Sequence, residues 1–226
     1  MTNKLVVVDF AGTLIKNEVI QEANKLRANT IKRSLPTKDE HANEQTLYKN
    51  NQEALQAITG LNKNITATSI TYEDKTLTAQ ETHNTIATTL FQLGLYEQAH
   101  KQQKNIYAPN ILQALKTIKE RGYELAIVSG VRTDIITGVL TITGEENLFD
   151  YVHGQPPQLG ISNTSHLRTL ASKAKIAYVI GDKTSDLEPA AQQGATTILV
   201  SWGTPTGDEK PDYTANDADE LINIIT

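Results

Sequence analysis

KLVVVDFAGTLI, Lys4 to Ile15, is the stretch on which the fold turns. Apolar residues Leu5 to Val8, all but the first β-branched, run into an acid, Asp9, and then into a turn containing Gly12 and Thr13. An unbroken apolar run of this kind is the pattern of a parallel strand buried on both faces. In an open α/β sheet, ligands bind outside the carboxyl ends of the strands, so a carboxylate delivered there is a candidate functional group. Taken alone, the segment also fits a strand that stops at a turn-forming Asp.

Outward from this strand the composition changes. Lys16 to Lys104 is rich in Asn, Thr, Gln, Glu and Lys, with helical spacing. Val19, Ile20, Ala23, Leu26 and Ile31 recur at intervals of three and four, and Pro36 stops that helix. A second helical pattern carries Leu47, Ala54, Leu55 and Ile58 and ends at Gly60. Between Asn62 and Thr76 a weak alternation fits either a strand or an ordered loop. Helical spacing returns at Thr78 and stops before Gly94, and a short helix is expected over Tyr96 to Gln103. Residues 16–105 thus read as a helical domain inserted after strand one, with 1–15 and 106–226 forming the core domain.

From Tyr107 onward, helices and strands alternate, as in a parallel sheet. Ile111, Leu112, Leu115 and Ile118 form a helix face closed by Gly122. Leu125 to Val128 is a short strand ending in Ser129-Gly130, followed by a helix through Ile135, Ile136, Val139 and Leu140. Phe149 to Gly160, with Pro156 and Pro157, reads as irregular. Leu167, Leu170, Ala171 and Ala174 mark a helix, and Ala177 to Ile180 a strand running into Gly181-Asp182. A helix through Leu187, Ala190 and Ala191, a strand over Thr197 to Val200 and a terminal helix over Ala218 to Ile225 complete an α/β, Rossmann-like core.

The chain has 226 residues and a net charge of −5, with both signs interspersed. No basic stripe points to nucleic acid, and no apolar stretch approaches the roughly 18 residues that span a bilayer. A cytoplasmic protein binding neither nucleic acid nor membrane is expected, as monomer or homodimer. The absence of cysteine excludes disulfides and thiolate chemistry. The five histidines are scattered without metal-ligand spacing.

Three strands therefore end in polar residues at one edge of the sheet: Asp9, Ser129 and Asp182, with Asp186 four residues beyond the last. Carboxylates brought together raise one another's pKa and cost stability. A hard divalent cation resolves the conflict, and Mg²⁺ takes one or two carboxylates plus substrate oxygens and water, an arrangement suited to phosphoryl chemistry.

DFAGTL at 9–14, Ser129 in LAIVSG and GDKTSD at 181–186 resemble motifs one, two and four of the haloacid dehalogenase-like hydrolase superfamily. The stretch YAPNILQALKTIKERGYELAIVSG is similar to that preceding motif two in phosphoglycolate phosphatase-like members. The resemblance implies that Asp9 is a nucleophile forming an aspartyl-phosphate, with Thr13 and Ser129 as its catalytic partners. It implies Mg²⁺ held by the carboxylate of Asp9, the carbonyl of Ala11 and one or both of the carboxylates of Asp182 and Asp186. Gly12, Thr13, Ser129 and Gly130 would bind the phosphoryl oxygens of a small phosphorylated metabolite. The inserted domain would be a cap that excludes water and selects the substrate.

Two positions depart from the pattern. Ala11 stands where phosphatases of the superfamily carry a second Asp, which protonates the leaving oxygen and then activates water. DxAGT occurs in the phosphonoacetaldehyde hydrolase branch, where a cap lysine forms a Schiff base; Lys25, Lys32, Lys38 and Lys49 lie in the inserted domain. The motif-three lysine is also missing: GQPPQLG offers Gln155 or Gln158, with Arg168 or Lys173 as cations on or near the following helix. Three functions are compatible: phosphoryl hydrolysis through Asp9, carbon–phosphorus cleavage, and a catalytically weak module binding a phospholigand or a protein.

Overall fold

In the computed structural model, which describes residues 4–34, 79–155 and 163–226, β1 (Lys4–Val8) lies inside a six-stranded sheet. With β2 (Glu124–Arg132), β3 (Tyr151–Gln155), β4 (Lys175–Gly181), β5 (Thr196–Val200) and β6 (Tyr213–Ala215), the order is β3-β2-β1-β4-β5-β6. Every neighbouring pair is parallel. The chain builds outward from β1 to β3, then returns to place β4 on the other side of β1. The order reverses between β1 and β4, and the crevice at such a reversal is where Rossmann-like sheets hold ligands.

The helices are α1 (Asn17–Ser34), α2 (Ala79–Gln102), α3 (Ile111–Glu120), α4 (Thr133–Thr143), α5 (Asn163–Ala171), α6 (Thr184–Ala191) and α7 (Ala218–Ile224). Leu5 and Val7 of β1 and Ala126 and Val128 of β2 pack with Leu167 and Leu170 of α5 and Ala190 of α6. The alternate set, Val6, Val8, Leu125 and Ile127, is equally buried and faces the other side of the sheet. This two-sided burial is why β1 is an unbroken apolar run. α3 packs on β2 and against α7. Among the described residues no helix is long and apolar enough to cross a membrane.

The chain divides into two compact units, Met1–Ile20 with Gln98–Thr226, and Gln21–Glu97, the divisions falling within α1 and α2. The helical pattern at Leu47 to Ile58, the alternation at Asn62 to Thr76 and the stop at Pro36 lie outside the described residues.

Three expectations are corrected. Gly94 does not end a helix: α2 runs through it from Ala79 to Gln102. A Cβ on Gly94 would stand 2.7 Å from both the Cα and the carbonyl oxygen of Ala23, so this glycine permits close backbone approach to α1. β2 does not stop at Ser129-Gly130 but continues to Arg132. Val128 pairs with His153 and Arg132 with Gln155, so two extra residues of β2 are taken up between them as a bulge. Phe149 to Gly160 is not wholly irregular, because Tyr151–Gln155 forms the edge strand β3. Its sequence, YVHGQ, lacks the apolar run of an inner strand. Its Gly154 fits because a Cβ would stand 2.2 Å from the Val131 carbonyl oxygen.

Candidate active site

Strand register brings the acids together. Val8 pairs with Ile127 on one side and Ile180 on the other, so the residue after it, Asp9, falls between the ends of β2 and β4. The Asp9 amide donates to the Ile180 carbonyl at 2.9 Å, carrying the strand pairing one residue past β1. Asp182 follows Gly181, the last residue of β4, and Asp186 sits in the first turn of α6. Carboxylate oxygens of Asp9, Asp182 and Asp186 lie within 4.8 Å of one another, and all three side chains are buried.

Asp182 is held most completely. It is fully buried, and its Oδ2 accepts hydrogen bonds from the Thr204 amide at 2.8 Å and the Thr204 hydroxyl at 2.9 Å. Its Oδ1 is buried with no hydrogen-bond partner among the described residues. A buried carboxylate oxygen left unpaired is costly, and the cost points to a ligand that completes it. Glycines make the room: a Cβ on Gly203 would stand 2.2 Å from the Asp182 Cβ, and one on Gly12 2.4 Å from Asp182 Oδ2. Gly12 also has φ +103°, a backbone region open to glycine.

The electrostatics follow from this crowding. Burial, then the charges of Asp186 and Asp182, push the Asp9 carboxyl well above the ordinary range, against the Phe10 amide and the Lys183 charge. Burial and the Asp182 charge push Asp186 up to about 6, opposed by Lys183. Three like charges in a buried space are stable together only when compensated. The converging donors are all oxygens, the ligand type of hard divalent cations, and the open Oδ1 of Asp182 fits such an ion.

The other expected site residues lie in the same region. Thr13 is fully buried, with its hydroxyl unpartnered among the described residues, while its carbonyl accepts from the Trp202 indole at 2.9 Å. Ser129 is buried in the bulge of β2, and its hydroxyl oxygen accepts from the Val131 amide at 3.3 Å. Gly130 is exposed, with nothing within 4 Å of the Cβ it lacks. Gly12 donates to the Ile15 carbonyl at 3.1 Å. Ala11 is half-buried in that turn and bridges to Ile15; its methyl group offers no proton.

Of the cations suggested for the missing lysine, Lys173 is badly placed. It precedes β4 and stands over the Tyr151 ring at 5.4 Å, roughly 20 Å of strand from Asp182. Arg168 is exposed on α5. Gln155 ends β3 opposite Arg132, and Gln158 lies outside the described residues.

Sequence reasoning passed over four residues that shape the site. Thr204 and Gly203 build the Asp182 pocket from a loop after β5. Asn17 ties that loop down, its Nδ2 donating to the carbonyls of Trp202 at 2.9 Å and Gly203 at 2.7 Å. Lys183 stood inside the quoted GDKTSD, yet a lysine beside two acids carries no periodic signal; in space its ammonium lies 3.9 Å from Asp182 Oδ2.

Comparison with known proteins agrees with this arrangement. A phosphoglycolate phosphatase of Aquifex aeolicus is 26% identical over 125 residues, covering 52% of this chain and 58% of that protein. The pyrophosphatase PpaX of Bacillus pumilus is 27% identical over 131 residues, covering 51% and 57%. The matched segments thus span less than two thirds of these relatives. Among solved structures, a predicted phosphoglycolate phosphatase from Haemophilus somnus superposes with a TM-score of 0.64 at 20% identity, covering 100% of this chain and 99% of that one. A haloacid dehalogenase-like hydrolase from Streptococcus pneumoniae gives 0.64 at 17% identity, covering 99% of each; at these identities the likeness speaks for the fold. The family model described as haloacid dehalogenase-like hydrolase matches residues 6–200, a span that runs from within β1 to the end of β5 and takes in each strand end bearing an acid, and the chain belongs to that family.

Proposed function

We propose that the protein is a Mg²⁺-dependent phosphohydrolase acting on a small phosphorylated metabolite through Asp9. The carrying observation is the convergence of the Asp9, Asp182 and Asp186 carboxylates within 4.8 Å at the carboxyl end of the sheet, together with a buried hydroxyl on Thr13, unpartnered among the described residues, in the turn that follows Asp9. The names of the relatives, phosphoglycolate phosphatase and pyrophosphatase, support the same class. Asp9, Asp182, Asp186 and the Ala11 carbonyl would hold the metal. Bound there, Mg²⁺ supplies positive charge that lets the three acids stay ionised and draws electron density from the phosphoryl oxygens.

The chain's own groups account for the remaining steps. An Asp9 carboxylate oxygen attacks phosphorus as the bond to the leaving oxygen breaks, giving an aspartyl-phosphate and the leaving alcohol or phosphate. The hydroxyls of Thr13 and Ser129 and the Gly130 amide donate to the phosphoryl oxygens. Ala11 supplies no proton, so the leaving oxygen takes its proton from water or the substrate. Water then attacks phosphorus, releasing inorganic phosphate and restoring Asp9. Selection among metabolites is assigned to the inserted unit between Ile20 and Gln98. Lys25 there is exposed and paired with Glu22, so nothing favours it as a Schiff-base nucleophile; the Lys32 side chain, Lys38 and Lys49 lie outside the described residues.

The test is phosphate release from a panel of phosphomonoesters, pyrophosphate and phosphonoacetaldehyde, with Mg²⁺ or EDTA, for wild type and Asp9→Asn. Metal-dependent release that disappears in the variant is the expected result. Release from no compound above the variant's background, despite tight binding of a phosphorylated compound, would leave the binding-module reading in its place.

A further inference from the structure

The acid cluster poses a charge problem that a metal alone does not solve. Three ionised carboxylates and one divalent cation leave a net negative charge in a buried space, and the substrate the site must accept is itself an anion. Repulsion between like charges in low-dielectric surroundings is worth several-fold in binding even at moderate distance.

Lys183 stands where a compensating charge is needed. It precedes α6 in extended conformation, φ −138° and ψ 155°, and its carbonyl accepts from the amides of Asp186 at 3.0 Å and Leu187 at 3.3 Å. The backbone is therefore fixed between the two acids that flank it. The ammonium lies 3.9 Å from Asp182 Oδ2, a carboxylate oxygen already engaged by Thr204, and not from the open Oδ1. The side chain is 46% exposed, so it has freedom to swing toward an arriving anion. Several other cations of the core are committed elsewhere: Lys104 and Lys116 to Glu145, Lys119 to Asp150, Arg132 to Asp134, Lys173 to the Tyr151 ring.

We infer that Lys183 is the cation that neutralises the metal-loaded acid cluster and draws the phosphoryl anion onto Asp9. This inference rests on the metal and phosphoryl reading of the site. It makes an unusual demand: one side chain must oppose binding of the metal and favour binding of the anion. A lysine with a merely structural role would, when replaced, weaken both or neither.

The experiment measures Mg²⁺ binding by isothermal titration calorimetry, then orthovanadate binding at saturating Mg²⁺, for wild type, Lys183→Met and Lys183→Arg. Melting temperatures in EDTA verify that each variant is folded. Lys183→Met is expected to bind Mg²⁺ roughly threefold to tenfold more tightly and vanadate weaker by a similar factor. Lys183→Arg, keeping the charge, should stay within about twofold of wild type on both. If Lys183→Met binds Mg²⁺ no more tightly, or vanadate equally well, the assignment is overturned while the metal site stands. If wild type itself binds no Mg²⁺, the reading of the acid cluster fails and the role of Lys183 with it.

Discussion

Replacing Asp186 by Asn in the metal-free protein is expected to stabilise it at pH 8 and to leave it unchanged below pH 4. Burial and the Asp182 charge move the Asp186 carboxyl from its ordinary 3.8 up to about 6, so the folded state resists ionising it. With the folded pKa raised, no penalty exists below the unfolded value; it grows as pH climbs from 3.8 to about 6 and is constant above. The full shift corresponds to about 3 kcal/mol, which Asn, with the same shape and no charge, removes. For a chain of this size each kcal/mol moves the melting temperature by about 2–4 °C, so a rise of about 6–12 °C is the ceiling at pH 8. The assay is thermal unfolding followed by circular dichroism in EDTA across this pH range, then with Mg²⁺ added. Magnesium should close the gap by stabilising wild type more than the variant. A variant that melts at or below wild type in EDTA at pH 8 would refute the claim that burial and the Asp182 charge make Asp186 costly to ionise in the fold.

Gly203→Ala should push Asp182 out of place, because the new Cβ would meet the Asp182 Cβ at 2.2 Å; a loss of about 1–3 kcal/mol by urea denaturation and weaker Mg²⁺ binding are expected. A variant with unchanged metal affinity would show that the loop yields and Asp182 does not. Glu145→Gln tests a different pH window. Burial alone would raise the Glu145 carboxyl, but hydrogen bonds from Lys104 at 2.6 Å and Lys116 hold it below its ordinary 4.5. That stabilisation is present above 4.5 and lost as pH falls through the lowered folded value. Both lysines are partly exposed, so it amounts to about 1 kcal/mol or less. The variant should lie below wild type at pH 7 and converge with it in acid; a constant offset across the range would disprove the ionic origin.

How much of this was legible in the sequence depends on how local each signal is. The four inner strands announced themselves through apolar runs, and Asp9 and Asp182 through their places at the ends of those runs. β3 did not, because an edge strand needs no such run and its Gly154 answers to the backbone of the β2–α4 junction. Gly94 was misread because a glycine that lets two helices approach looks, in one dimension, like a glycine that ends one. Thr204 was invisible: its hydroxyl serves a carboxylate 22 residues earlier, and neither residue marks the other. Lys183 was in view but unread, since charge compensation depends on where the acids converge.

The groups that hold the acids and the groups that would move protons are not equally represented in this chain. Gly12, Gly203 and Thr204 are all in place around Asp182, whereas Ala11 removes the carboxyl that would protonate a leaving oxygen. General acid help of that kind contributes typically about 10²–10⁴ in rate, and most when the leaving group is a poor one. An enzyme lacking it should therefore discriminate by leaving-group acidity. Alkyl phosphates, whose alkoxides need a proton as they depart, should turn over slowly; aryl phosphates, acyl phosphates and pyrophosphate should not be penalised in the same way. Measuring kcat/KM across a series of substituted phenyl phosphates should give a steep dependence on phenol pKa. Replacing Ala11 by Asp should flatten it, chiefly by raising the rates of the least acidic members. A flat profile in the wild type would mean that some other group already delivers the proton, and the search for it would then move to the inserted unit.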